Sequence, residues 1–474
     1  MGYLKTLTVP LLALAAAGAN AAGNGAVEKT AHGVIVRPTE AAAADVKVEA
    51  VAPGILRVMA DPDGDFARTP SLMRAKTGAP PAVKVGESGG RVSISTQGIS
   101  ATVDAHTGQV SFFDAAGKPL LAERARTFTP TTVEGKPYYS IRQRFDSKDD
   151  EAFYGTGLHQ QGWMNLKGRD VELLQHNIDK AIPYLVSTRH YGILWDSNAI
   201  TRYGDPRGLQ PLGASLDLFD AQGKPGALTA RYTVNGKQVV ARRESEVNYQ
   251  YIKDLANFPE KGKNLATSGR SEVVWEGEIA ARSDGRHTFS LYNSEYAKLY
   301  IDGKLVLDRW RQNWNPWHHE FALDMKAGQR HTVKLEWDRI EPAYVALLHR
   351  DPLPTDEAKD LSIWSEAAQA IDYYVVAGDD ADQVLAGYRT LTGKAVLLPK
   401  WSYGFWQSRE RYKTQAELTG ALDEYRRRKL PIDAIVLDWS YWPEDAWGSH
   451  DFDAKNFPDP DGMVDHVHDQ HAQI

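Results

Sequence analysis

The chain has 474 residues, a formal net charge of −7, and 42% apolar against 25% charged residues. It reads as an ordinary globular protein of roughly three domains, and its acidic balance argues against a nucleic-acid or anionic-membrane partner, both of which select a basic face. The lack of cysteine rules out disulfides, thiolate catalysis and thiolate metal sites.

At the N-terminus, Lys5 precedes an apolar stretch from Leu7 to Ala17, followed by the small residues Gly18 to Ala22. That order is the n-region, h-region and A-x-A cleavage pattern of a secretory signal peptide over residues 1–21. The run is too short to span a bilayer, and no other segment approaches that length. The expectation is an exported protein, without membrane insertion, in the periplasm or at the cell surface of a bacterium.

Residues 27–225 alternate short β-rich runs with Gly, Pro and Asp turns. Val46–Val51, Ile55–Met59, Val92–Ser95 and Ile99–Val103 all carry a period of two. Such spacing predicts a β-sandwich, with a hairpin turn at Asp114–Gly117. Phe153–Leu158, Pro183–Ser187 and Tyr191–Trp195 follow as further strands. Gly155-x-Gly157 lacks the third glycine and the βαβ context of a dinucleotide loop. The loop His159–Trp163 is read two ways, as a substrate contact or as a sandwich loop satisfied by its own polar groups.

Over residues 226–352 the texture changes to strands at Trp275–Ile279, His287–Tyr292, Lys298–Val306 and Thr332–Trp337. Asp302-Gly303 between two of them is a strong hairpin signal. Residues 353–396 then return to the first domain with Ile363-Trp364 and Ile371–Val376, so the host sandwich is expected to be discontinuous. Trp310, Trp314 and Trp317 with Asn313 and Asn315 suit a sugar face, or else pack in a core. His318, His319 and Glu320 are ligand types, but adjacent strand residues face opposite ways, so no metal is expected there.

Residues 397–474 read as the start of a (β/α)8 barrel. A strand is predicted from Trp401 to Trp406. A helix follows, with Thr414 and Glu417 as a capping box, and Leu418, Ala421, Leu422 and Tyr425 form its apolar face. Arg426–Lys429 sits at its basic C-terminal end, and Pro431 stops it. Ala434–Leu437 runs without alternation, as a covered parallel strand does, and ends in Asp438. Trp439, Tyr441, Trp442 and Trp447 crowd the loop behind it. In such barrels the chemistry sits on the face that Asp438 occupies. His466, His468 and His471 do not share one helical face, so the predicted helix turns Met463 and Val467 inward and no metal is expected.

The blocks LPKWSYGFWQSRERY and IVLDWSYW…WGSHDFD…FPDP resemble the first two barrel strands of glycoside hydrolase family 31, and within it the α-xylosidases that trim xyloglucan. In order, Phe153–Leu158, Pro183–Ser187 and Tyr191–Trp195 resemble that family's N-terminal, galactose-mutarotase-like sandwich. Residues 226–352 resemble the protective-antigen-like sandwich that some of its members carry as an insertion. The resemblance implies retaining hydrolysis of α-glycosides without a cofactor, on an oligosaccharide substrate derived from xyloglucan. It also implies that Asp438 binds sugar hydroxyls in the −1 subsite, with Trp406, Trp439 and Trp442 as pocket wall.

From the residues alone, Asp438 has three readings: sugar anchor, catalytic carboxylate, or cap of the following loop. Its place before three aromatics favours the first, because sugar hydroxyls can satisfy a carboxylate that has left water. Glu444, Asp445, Asp451 and Asp453 read as loop residues or caps. The family's nucleophile and general acid belong to later strands, so no catalytic residue is assigned among the 474 residues and the chain by itself is expected to be inactive. An α-glucosidase of the same family, or a non-catalytic carbohydrate-binding fragment, are the alternatives.

Overall fold

A computed structural model describes residues 26–67, 71–175, 179–251, 271–339 and 343–474. The predicted leader, residues 1–21, lies outside the described residues. The chain divides into two compact units, 1–393 and 394–474. No helix among the described residues is long and apolar enough to cross a membrane.

The period-two segments form strands as expected. Asp45–Ala52 and Ile55–Asp61 pair as a hairpin, turned at Gly54, whose φ of 73° favours a residue without Cβ. They belong to an eight-stranded antiparallel sheet that faces a nine-stranded one across a core of Val, Ile, Phe and Trp side chains. The last two strands of this sandwich arrive late in the sequence. Leu361–Ala368 inserts between Thr201–Tyr203 and Lys136–Phe145 in the nine-stranded sheet. Ile371–Ala377 inserts between Ile55–Asp61 and Tyr191–Trp195 in the eight-stranded sheet. One pair of successive strands, one in each sheet, therefore completes both. Its Tyr373 stacks on Trp195 at 6.2 Å and donates its hydroxyl to buried Glu123 at 2.6 Å.

Between the two parts of this host lies a second sandwich of five- and seven-stranded sheets. Gln210–Pro211 and Leu216–Asp220, upstream of Gly226, already pair with its strands. Trp275, Trp337, Phe289, Leu291 and Leu335 fill its core. The turn between Glu295–Ile301 and Lys304–Arg311 has Asp302 at φ 49° and Gly303 at φ 73°. Both central residues are left-handed, as the two-residue hairpin turn requires. On the edge strand Lys237–Glu244 of the seven-stranded sheet, buried Glu244 accepts from Trp275 Nε1 at 2.7 Å, Tyr249 Oη at 3.1 Å, Arg242 Nε at 2.5 Å and the Tyr232 hydroxyl.

The second unit holds two parallel strands, Trp406–Arg409 and Ala434–Leu437, with helices Gln415–Arg427 and Pro460–Asp469. The first strand starts at Trp406, not Trp401. Lys400–Tyr403 is instead a 3₁₀ turn, closed by Ser402 N to Pro399 O at 3.0 Å and Gly404 N to Trp401 O at 3.0 Å. A run of aromatics without alternation carries no period to tell the two apart.

The helix cap is as predicted on one side, with Thr414 Oγ1 accepting from Glu417 N at 3.2 Å. Glu417 reaches back one residue further than a capping box does, to the Lys413 amide at 2.7 Å. Leu418 and Leu422 pack with Ile435, Met463 and Val467 in one core. Arg426 then donates to the carbonyls of Gln470, Ile432 and His471 at 2.8, 3.0 and 3.1 Å, tying the first helix to the turn after the second. Gln473 adds a parallel bridge to Ala434 on the open side of the second strand.

Candidate active site

In the second unit, the parallel register sets Trp406 opposite Ala434 and Arg409 opposite Leu437. Both strands therefore end on one side, where Arg411 and Asp438 follow within one or two residues. Ala434 and Ile435 are buried while Val436 and Leu437 are partly exposed, so the strand emerges from its core toward Asp438. Asp438 Oδ1 accepts the amide of Trp439 at 2.8 Å. Among the described residues no other group bonds to its carboxylate, which leaves Oδ2 and the second lone pair of Oδ1 open to a ligand.

The loop behind Asp438 closes on itself through aromatic contacts. Trp439 lies 6.3 Å from Trp442 and 5.2 Å from Trp447, and Trp442 lies 5.4 Å from Trp447, all between ring centres. Tyr441 meets Trp442 edge-on at 5.2 Å and Phe452 at 5.2 Å, and its hydroxyl lies 3.2 Å from His450 Nδ1. Ser440, Asp445 and His450 all have positive φ, which lets the loop turn tightly enough to gather these rings. The Arg411 guanidinium lies 4.9 Å from the centre of the Trp439 ring. Asp453 is structural, accepting from Lys455 N at 3.2 Å and Asn456 Nδ2 at 2.5 Å.

Asp438, Trp439 and Trp442 therefore come together on one edge, and Trp406 does not. Trp406 begins its strand while Asp438 lies four residues beyond Ala434, a separation of roughly 13 Å at about 3.3 Å per residue. Trp406 stacks instead on Trp401 at 5.5 Å. Arg411 and Trp447 are the members of the site not assigned from the sequence. The signal for Arg411 was its place two residues after a strand end, on the same barrel face as Asp438.

In the first unit, His159 Nε2 turns back to Thr156 O at 2.9 Å, and Gln160 Oε1 accepts from Arg311 of the second sandwich at 2.8 Å. Arg311 also donates to Asn315 O at 3.1 Å and lies over Trp317. Trp310 and Trp314 stay 48% and 67% exposed, too open for core residues. His318 bonds Ser290 Oγ at 3.0 Å and His466 bonds Asp423 at 2.7 Å. Among the described residues, neither of the two histidine clusters weighed above gathers into a ligand set.

Residues 45–203 match the glycosyl hydrolase 31 N-terminal galactose mutarotase-like domain, and residues 395–474 match the glycosyl hydrolases family 31 TIM-barrel domain. Between them, residues 224–347 match the PA14 domain. The chain belongs to glycosyl hydrolase family 31. It is similar to the family 31 α-xylosidase of Xanthomonas citri, whose crystal structure superposes with a TM-score of 0.91 at 65% identity, over 94% of this chain and 49% of that one. It is also 53% identical to the α-xylosidase of Saccharolobus solfataricus over 114 residues, 24% of this chain and 16% of that protein. A family 31 α-xylosidase from a soil metagenome, solved with xylose, shares the fold with a TM-score of 0.56 at 20% identity. The chain thus spans about half the length of the first of these and a smaller share of the curated relative.

Proposed function

We propose that this chain is part of an exported, retaining α-xylosidase that removes non-reducing-end xylose from xyloglucan oligosaccharides. The observation that carries the reading is the open carboxylate of Asp438 at a barrel strand end, beside the Trp439, Trp442 and Trp447 rings. Sugar hydroxyls donate to the free lone pairs of Asp438, and the rings cover the apolar C–H face of the pyranose. The 65% identity to an α-xylosidase supports the choice of glycoside. The bulk of three tryptophans opposes a 6-hydroxymethyl group, which separates this reading from an α-glucosidase.

Retention requires two carboxyl groups about 5–5.5 Å apart, a nucleophile and an acid/base. Asp438 holds the sugar while such a pair acts, and it is neither member. The 474 residues by themselves are therefore proposed to bind sugar without turning it over.

The test is titration of the purified chain with xylose and xylogluco-oligosaccharide, followed by tryptophan emission, beside Asp438→Asn. Binding by the wild type, lost in the variant and weaker for glucose, supports the reading. Equal binding by the variant sinks the role of Asp438. Release of xylose from an α-xyloside by the 474-residue chain sinks the claim that it is inactive alone.

A further inference from the structure

In the second sandwich, two histidines occupy positions where its core would otherwise place apolar side chains. His287 on strand Gly285–Asn293 and His349 on strand Val345–Arg350 are both fully buried. The register pairs Phe289 with His349 and Thr288 with Arg350, so the next pair outward is His287 with Asp351. All three side chains therefore leave one face of the sheet. His287 Nδ1 lies 2.9 Å from His349 Nε2 and 3.7 Å from Asp351 Oδ1, and the three atoms lie within 4.8 Å of one another.

The far nitrogens of both rings are held by neutral groups. The Ser283 carbonyl lies 3.0 Å from His287 Nε2. A carbonyl only accepts, so Nε2 carries the proton and a neutral ring turns its Nδ1 lone pair toward His349. His349 Nδ1 lies 2.7 Å from Ser215 Oγ, a hydroxyl able to donate or accept. In one arrangement Ser215 donates to Nδ1, and His349 Nε2–H donates to His287. In the other, Nδ1–H donates to Ser215, and both facing nitrogens present lone pairs. The two hold the same number of protons.

Asp351 is what the first arrangement leaves unexplained. Its Oδ1 is buried without a hydrogen-bond partner, although buried polar atoms are as a rule bonded. Arg207 chelates Asp205 and reaches Asp351 only at its backbone carbonyl, 2.8 Å away. Arg350 is balanced by Asp170 and Asp205. Among the described residues no cation hydrogen-bonds this oxygen, and the Arg207 charge acts on the carboxylate only through space.

We propose that His287 Nδ1, His349 Nε2 and Asp351 Oδ1 bind one divalent transition-metal ion of the zinc type, pinning two strand ends of the second sandwich together. Two imidazoles and a carboxylate are a zinc donor set. Metal–nitrogen bonds of about 2.0–2.1 Å set tetrahedral ligand atoms about 3.3 Å apart. The 2.9 and 3.7 Å separations are a few tenths of an ångström from that on either side, and the third, between His349 and Asp351, lies within 4.8 Å and closes further when the ion draws the Asp351 side chain in. Ser283 and Ser215 act as the outer partners that fix ligating tautomers. The Asp351 side chain, 47% exposed, gives the ion its way in and leaves water the fourth position.

The test strips the purified 474-residue chain with a chelator, then titrates it with zinc and, in parallel, with cobalt(II). One equivalent is expected, with the visible absorption of tetrahedral cobalt and a raised thermal midpoint. Asp351→Asn keeps the size of a half-solvated side chain and is expected to weaken binding by about tenfold or more. A triple variant, His466→Gln with His468→Gln and His471→Gln, removes the histidine cluster of the second unit and is expected to leave binding unchanged. Failure of the wild-type chain to take up one equivalent overturns the proposal, as does uptake indifferent to Asp351→Asn.

Discussion

The guanidinium of Arg411 lies 4.9 Å from the centre of the Trp439 ring, so a cation from the loop after one barrel strand holds the first aromatic after the next. Cation–π contacts of this kind are worth about 0.5–1 kcal/mol when exposed. Trp439 is partly open to solvent, and Arg411 adds to the Trp442 and Trp447 rings in fixing its angle beside Asp438.

Arg411→Ala is expected to weaken xylose binding by roughly two- to fivefold, the factor that energy corresponds to. Protein stability should hardly move. Titration by tryptophan emission, beside a thermal melt, separates the two; a large stability loss would mark Arg411 as a fold residue instead.

Glu244 is the second target. Truncation to alanine strips the acceptor from Trp275 Nε1 and empties the centre of the buried network with Tyr232, Tyr249 and Arg242. Breaking such a buried set costs about 3–5 kcal/mol. Urea unfolding of the second sandwich, followed by hydrogen exchange of its strand amides, should shift to lower denaturant in Glu244→Ala, with the amides of the barrel unit unchanged.

Burial, aided by the Asp170 charge and opposed by Arg350 and Arg169, pushes the Glu320 carboxyl up to about 7. The folded state therefore holds this proton more tightly than the unfolded chain does. The stability it contributes is complete below about 4.5 and is lost as the pH rises through 7. Glu320→Gln should be more stable than the wild type at pH 8 by up to about 3 kcal/mol, with the advantage gone below pH 4.5. Urea midpoints at the two pH values decide it, and an equal difference at both would refute the assignment.

His318 behaves in the opposite sense. Burial lowers its pKa to about 4, with only a weak opposing pull from Glu172. Its neutral form is built into the fold, so its contribution is present above about 6.5 and fades as the pH falls toward 4. His318→Gln, which can still bond Ser290, should flatten the acid side of the stability profile. An unchanged acid limb would count against it.

In the barrel unit, Leu422→Ala removes a fully buried side chain from the core shared with Ile435, Met463 and Val467. The expected cost is about 2–5 kcal/mol. Thr414→Ala, which removes only the cap, should cost about 1 kcal/mol. Their ratio in denaturant unfolding tests whether packing or capping dominates this unit.

Local rules alone determined much of this protein. Period-two alternation specified the strands around Val46, Ile55, Val92 and Ile99, because one face of each had to be buried. Asp302-Gly303 specified its turn, since few other pairs tolerate two left-handed residues. Thr414, Leu418 and Leu422 specified a helix, and the unbroken run from Ala434 led to Asp438 at a strand end. Other features needed three dimensions. Register alone separates Trp406 from Asp438, because a tryptophan at the start of a strand has the same composition signal as one at its end. The Arg411–Trp439 contact joins loops 28 residues apart in the chain, which no periodicity records. His287, His349 and Asp351 meet only because two strands 62 residues apart pair in one register, and a one-residue slip would have turned them to opposite faces.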